Sequence, residues 1–165
     1  MKTQEVPVEL REFYAQFKKL EYRHDYVTVF DDFLSAMMNY FTPPEYPGID
    51  VRCFDKYNKD ERLLIGRLIP IVIQTFDKNI SGEQSWFDPF GDFYQLLASR
   101  GKQSMLGQFF TPTHIVDFMT LLHGEKEELT AKGIKVNDPA CGSGRFLIAY
   151  HANFPGNYMY GEDLD

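Results

Sequence analysis

The residues with the clearest chemical purpose lie in one run, Asp138-Pro139-Ala140-Cys141-Gly142-Ser143-Gly144. Two glycines one residue apart let a backbone turn sharply, and they let a ligand come close because no side chain blocks the approach. A carboxylate follows at Asp163, 19 residues after Gly144. That is the spacing at which an acid ending a second strand accepts hydrogen bonds from ribose hydroxyls. The same pattern also describes a tight strand-to-helix turn with no ligand. Two related motifs are excluded. A dinucleotide fingerprint needs a third glycine three residues after the second, where Leu147 stands. A phosphate-binding P-loop ends in Gly-Lys-Ser/Thr, whereas Arg145 and Phe146 follow Gly144. An adenosine ligand that needs no pyrophosphate cradle fits what remains, and S-adenosylmethionine is the candidate.

The elements that must position this turn can be read around it. Ile134, Lys135, Val136 and Asn137 form a short strand that feeds the turn, and a helix follows from Arg145 to Asn153, stopped by Pro155 and Gly156. Asn157 to Tyr160 then reads as a second strand, leading to Gly161-Glu162-Asp163. Helix, strand, glycine turn, helix, strand and acid is the opening order of a doubly wound sheet. Upstream, Thr111-Pro112 and Asp88-Pro89 each look like an N-cap followed by a first-turn proline. The helices after them carry the stripes Ile115, Phe118, Met119, Leu122 and Phe90, Phe93, Tyr94, Leu97, the latter helix ending at Gly101. Nearer the start, Leu10, Phe13, Tyr14, Phe17 and Phe30, Phe33, Leu34, Met37 are spaced for two helices. Ile65, Leu68, Ile69, Val72 and Phe76 mark a third, which Pro70 is expected to kink or to restart near Gly66. Thr42, Pro43, Pro44, Pro47 and Gly48 make a linker. These stripes read as core packing rather than as cofactor boxes.

The formal net charge of -7, with no basic run, argues against a chain that grips phosphate backbones by itself. Any DNA contact is expected through other sequence or a partner subunit. Cys53 and Cys141 form no CxxC pair and suit a reducing compartment. The first ten residues lack an apolar signal-peptide core. The longest apolar stretch, from Leu63 to Ile73, is broken by Gly66, Arg67 and Pro70 and is too short to span a membrane. The expectation is a soluble, cytoplasmic protein. Cys141, with no histidine near it in sequence, reads as a small filler rather than a nucleophile. His114 and His151 have no second ligand nearby that would suggest a metal.

A family resemblance adds to this reading. The stretch from Asp138 to Leu147 resembles the first motif of N6-adenine DNA methyltransferases. Gly107-Gln108-Phe109-Phe110-Thr111-Pro112 resembles the motif that precedes it in the gamma class, and Tyr160-Gly161-Glu162-Asp163-Leu164-Asp165 is similar to the second motif. Further upstream, Asp88-Pro89-Phe90-Gly91-Asp92-Phe93-Tyr94 is similar to a helix in modification subunits of type I restriction systems. The resemblance covers roughly residues 86 to 165. Together with the helical stripes it points to a mainly α N-terminal domain over residues 1–101, followed over 102–165 by the start of an α/β Rossmann-like, S-adenosylmethionine-dependent methyltransferase fold with a truncated sheet. It also implies that Thr111 and Pro112 touch the methionine end of the cofactor. Asp138 would sit beside its amino group, with Pro139, Ala140, Gly142 and Gly144 lining the turn and Asp163 holding the ribose. Phe110 either packs on the cofactor or belongs to the core, and Asp138 has the plainer alternative of capping a turn.

The chain departs from the family in one respect that bears on activity. Amino methyltransferases of this kind use an Asn/Asp/Ser-Pro-Pro-Tyr/Phe loop to hold the target amine and stack on the flipped base. No such tetrapeptide occurs here. Pro43-Pro44 is preceded by Thr42 and followed by Glu45-Tyr46, on the wrong side of the glycine turn. The third-strand acid and a target-recognition domain are not found either, and the sheet of such enzymes normally has seven strands. Three readings follow. The chain is a methyltransferase fragment, or a subunit completed by a catalytic or specificity partner chain, or a noncatalytic interaction or regulatory module with a vestigial cofactor site.

Overall fold

A computed structural model describes residues 6–46, 51–80, 85–98 and 110–163. It divides into two compact units, Met1–Thr75 and Phe76–Asp165. The predicted Gly107, Gln108 and Phe109, the helix end at Gly101, and Pro47 and Gly48 of the linker lie outside the described residues.

The first unit is helical because its apolar residues recur every three or four positions, and its two longer helices start at side-chain caps. α1 (Arg11–Phe17) follows a 3-10 turn at Val8–Leu10. α2 (Tyr26–Phe41) begins at Asp25, whose carboxylate accepts from the Thr28 N–H at 3.1 Å. α3 (Lys59–Asn79) begins with a reciprocal cap. Asn58 Oδ1 accepts from the Asp60 and Glu61 N–H groups, while Glu61 Oε2 accepts from the Asn58 N–H at 2.8 Å. The expected stripes bury Leu10, Phe13, Tyr14, Phe17, Phe30, Phe33 and Met37, with Phe13 and Phe33 ring centroids 5.1 Å apart. Beside them Asp32 is buried, accepting from the Tyr57 hydroxyl and the Lys56 ammonium at 2.6 Å each.

α3 does not restart near Gly66. The carbonyl that loses its donor at Pro70 is that of Gly66, and both residues are exposed, so water can satisfy it without ending the helix.

The second unit holds the glycine turn. α4 (Pro89–Ala98) and α5 (Thr113–Leu121) precede a one-turn helix, α6 (Lys126–Leu129). β1 (Lys135–Asp138), α7 (Arg145–Asn153) and β2 (Tyr158–Gly161) follow. β1 and β2 pair in parallel, Lys135 opposite Tyr158 and Asp138 opposite Gly161, with α7 as the crossover. The architecture is mainly helical with a small two-stranded parallel sheet. It is compatible with the truncated methyltransferase-like fold that the resemblance implies. The crossover is clasped by Asn157, whose Oδ1 accepts from the Ile134 N–H and whose amide donates to the Leu129 and Phe154 carbonyls.

The face of α5 differs from the expectation. Val116 and Thr120 are buried, and Val116 joins Trp86 and Ala149 in the core. Ile115, Phe118, Met119 and Leu122 are instead 39%, 60%, 44% and 69% exposed. The periodicity identifies the helix correctly but selects the apolar side, whereas the neighbours that cover it (Trp86 and α7) lie on the side of Val116. The cap also sits one residue later than expected. Pro112 occupies the N-cap position, its carbonyl accepts from Ile115 and Val116, and no side chain caps the helix.

Candidate functional site

The site begins where β1 ends. Gly142 and Gly144 both take left-handed backbone conformations, at φ 52° and 76°, which an L side chain adopts only with strain. Gly144 then serves as the N-cap of α7, which has no side-chain cap. The two glycines differ in their surroundings. A methyl group on Gly142 would lie 2.9 Å from Phe110 Cε1, whereas nothing stands within 4 Å of the corresponding point on Gly144. Gly142 is therefore required both by its backbone angle and by the ring packed on it, and Gly144 by its backbone angle alone.

The turn is laced to the chain that leaves β2. The Glu162 N–H donates to the Asp138 carbonyl at 2.9 Å, and the Cys141 N–H donates to the Glu162 carbonyl at 3.0 Å. Asp163 Oδ2 accepts from the Gly142 N–H at 2.6 Å. Asp138 Oδ1 accepts from the Ala140 N–H at 3.1 Å, the turn-capping geometry of an acid after a strand. Both acids singled out in the sequence thus flank the glycine turn, and each holds one of its amides. Pro139 and Ala140 are exposed at the turn's outer edge. Cys141 is half-buried with its Sγ close to Gly161, where a methyl group would meet it at 2.9 Å, so it fills space as expected.

Phe110, Thr111 and Pro112 approach from the other side. The Phe110 ring lies over Gly142, 5.7 Å from the Tyr94 ring and 5.8 Å from the Arg145 guanidinium carbon. The Thr111 carbonyl accepts from Arg145 Nη1 at 3.1 Å, while Thr111 and Pro112 are otherwise exposed.

Beneath the turn lies a buried charge network that the sequence did not reveal. Asp88 and Arg145 are 4% and 5% exposed. Asp88 Oδ1 accepts from the Gly91 N–H at 2.8 Å, so it caps α4 as expected. Its Oδ2 accepts from Arg145 Nε at 3.0 Å and from the Ser143 hydroxyl at 2.6 Å. Arg145 Nη2 reaches Asp92 Oδ1 at 2.6 Å. A single guanidinium thus ties the start of α7 to the start of α4 and to the segment at Thr111. A signal for it exists. Arg145 is the first residue of α7, where a cation opposes the helix dipole, so an arginine there implies a dedicated acidic partner. Which acid that is cannot be read across 57 residues of sequence.

Residues 86–163 match the N-6 DNA Methylase family model. The match supports an N6 DNA methyltransferase family for this part of the chain and a role related to DNA methylation. It begins at Trp86, which is buried in the core and donates to Asp117 Oδ1 at 2.6 Å, and it ends at the turn acid Asp163. Everything described above for the glycine turn therefore falls within the matched residues. Nothing matches among curated proteins or among solved structures. Among the described residues, no group of three His, Cys, Asp or Glu side chains gathers as metal ligands. Among the same residues, no helix is long and apolar enough to cross a membrane.

Proposed function

We propose that residues 86–163 are the S-adenosylmethionine-binding portion of an N6-adenine DNA methyltransferase, of the gamma class and similar to type I modification subunits, built on a Rossmann-like sheet. The observation that carries this reading is the coincidence of the family match with a β1–glycine turn–α7–β2 unit whose second strand leads to Asp163. N6 DNA methyltransferases generally use S-adenosylmethionine, which supplies an electrophilic methyl on its sulfonium.

The residues present suit that ligand. The point a Gly144 side chain would occupy is open, and the first turn of α7 has no side-chain cap, which leaves N–H donors for a carboxylate. Asp138 and Asp163 are acceptors, suited to an ammonium and to ribose hydroxyls. In this assignment Thr111 and Pro112 wall the methionine end, with Phe110 beside them. Pro139, Ala140, Gly142 and Gly144 form the turn. The 165 residues hold no Asn/Asp/Ser-Pro-Pro-Tyr/Phe tetrapeptide, so they are proposed to bind cofactor without transferring the methyl group themselves. Contact with DNA then depends on a partner subunit or other sequence, in a restriction-modification or mobile-element setting and in the cytoplasm.

A second reading has its own observation. Each of the two acids already accepts from an N–H of the turn itself, as it would in a noncatalytic interaction or regulatory module with a vestigial site. Calorimetric titration of the purified chain with S-adenosylhomocysteine, beside an Asp163→Ala variant, separates the two. Saturable binding that weakens in the variant is the expected result. No heat at high ligand concentration from a folded chain would leave the vestigial module as the better description.

A further inference from the structure

We infer that Arg145 is the positioning residue of this site, holding the Phe110-Thr111-Pro112 segment against the glycine turn through three hydrogen bonds, two to the start of α4 and one to Thr111. The inference rests on the cofactor reading above and extends it to a residue that contacts no ligand.

The geometry supports a positioning role over simple packing. Arg145 Nε, Nη1 and Nη2 go respectively to Asp88 Oδ2 (3.0 Å), the Thr111 carbonyl (3.1 Å) and Asp92 Oδ1 (2.6 Å). Only a guanidinium presents that fork of donors in fixed directions. A lysine ammonium is a point charge and cannot span all three. The same guanidinium faces the Phe110 ring at 5.8 Å, and that ring rests on Gly142. The far end of the network is equally constrained. Asp88 Oδ2 also takes the Ser143 hydroxyl, and a methyl group on Gly91 would meet Ser143 Oγ at 2.7 Å. Ser143 and Arg145 thus tie the turn to the α4 cap on either side of Gly144. At 110–112, the Phe110 ring packs on Gly142 and Tyr94, but beyond it the segment has few anchors of its own. Pro112 has no N–H, Thr111 and Pro112 are exposed, and α5 begins without a side-chain cap. The distance between the Thr111–Pro112 part of this segment and the turn, and so the width of the methionine end of the site, is set by Arg145 together with the Phe110 ring that rests on Gly142.

The experiment uses the full chain and the variants Arg145→Lys and Asp92→Asn. The latter is mild, because the Asp92 side chain is 33% exposed and the amide oxygen of Asn can still accept, so only the charge on one of the three partners is lost. Titrations with S-adenosylhomocysteine and with 5′-methylthioadenosine, which lacks the amino-acid end, are run well below the unfolding temperature. Amide exchange at residues 110–116 is followed in the ligand-free chain. Arg145→Lys is expected to weaken S-adenosylhomocysteine binding at least tenfold and methylthioadenosine binding less than twofold, with faster exchange at 110–116. Asp92→Asn is expected to follow in the same direction with a smaller effect. Equal losses for both ligands would mean general loosening and would overturn the inference, as would unchanged affinity. If the wild-type chain binds neither ligand, the cofactor reading has failed. Exchange alone then decides the role of Arg145, and no acceleration in either variant overturns it. If Arg145→Lys does not fold, Asp92→Asn carries the same comparison.

Discussion

Replacing Gly142 by alanine tests the packing of the turn, with Gly144→Ala as its internal control. Both residues are left-handed, so each alanine incurs the same backbone strain, about 1 kcal/mol. At Gly144 that is all, because nothing lies within 4 Å of the new methyl group. At Gly142 the methyl would sit 2.9 and 3.0 Å from two Phe110 ring carbons. That ring is itself held between Tyr94 and Arg145, so overpacking adds roughly 1–3 kcal/mol. Gly142→Ala is therefore expected to cost about 3 kcal/mol and Gly144→Ala about 1 kcal/mol. Urea unfolding followed by tryptophan fluorescence is the assay. Trp86 is the one tryptophan of the chain and is buried in the second unit, so its signal reports on that unit alone. Removing the ring should remove the difference. In a Phe110→Ala background the two alanines should cost the same, giving a coupling energy above ~1 kcal/mol. Equal effects in the wild-type background, or coupling below ~0.5 kcal/mol, would refute the account of why Gly142 is glycine.

Gly91→Ala places a methyl group against Ser143 Oγ and the Asp88 carboxylate. It should destabilise the second unit by about 3 kcal/mol in the same fluorescence assay, because it breaks a buried ion pair apart. Val116→Ala should cost about 1–3 kcal/mol while Ile115→Ala costs under ~1 kcal/mol, since only Val116 is buried. The reverse order would return the core face of α5 to the expected stripe. In the first unit, the bond from the Asn58 N–H, helped by His24 and Arg23, holds the Glu61 carboxyl below the ordinary glutamate range. A lowered folded-state value means that the cap's contribution is present above the unfolded value and is lost as pH falls through the folded one. Thermal unfolding followed by helical circular dichroism should therefore show stability falling below about pH 4.5. Glu61→Gln should flatten that fall, and an unchanged slope would count against the cap.

Local features were the most legible. α7 runs from Arg145 to Asn153 as read, because a left-handed glycine fixes its start and Pro155-Gly156 its end. The strands are each shifted by a single residue, within what end fraying allows. Features that depend on distant partners were not legible. The stripe on α5 marks a helix, but its neighbours chose Val116, because periodicity records which residues are apolar and not which of them meet something. Gly142 was read as leaving room for a ligand, and the structure adds Phe110, 32 residues earlier, as a reason for it. Asp88 was recognised as a cap from the proline after it. Its second oxygen, committed to Ser143 and Arg145, left no local trace.

The long reach of the Asp88–Arg145 pair also bears on the order of folding. The parallel strands and their crossover helix lie within the 27 residues from Lys135 to Gly161, whereas the ion pair joins residues 57 apart. Closing the longer loop costs about 0.6 kcal/mol more in chain entropy for each doubling of length. It also requires the cap of α4 to exist before there is anything to bind. The crossover can therefore assemble first, with the charge pair closing over it afterwards. A contact that forms after the rate-limiting step leaves the refolding limb of a chevron in place and lifts the unfolding limb when it is weakened. On that account Arg145 governs how long the folded turn persists rather than how quickly it is reached.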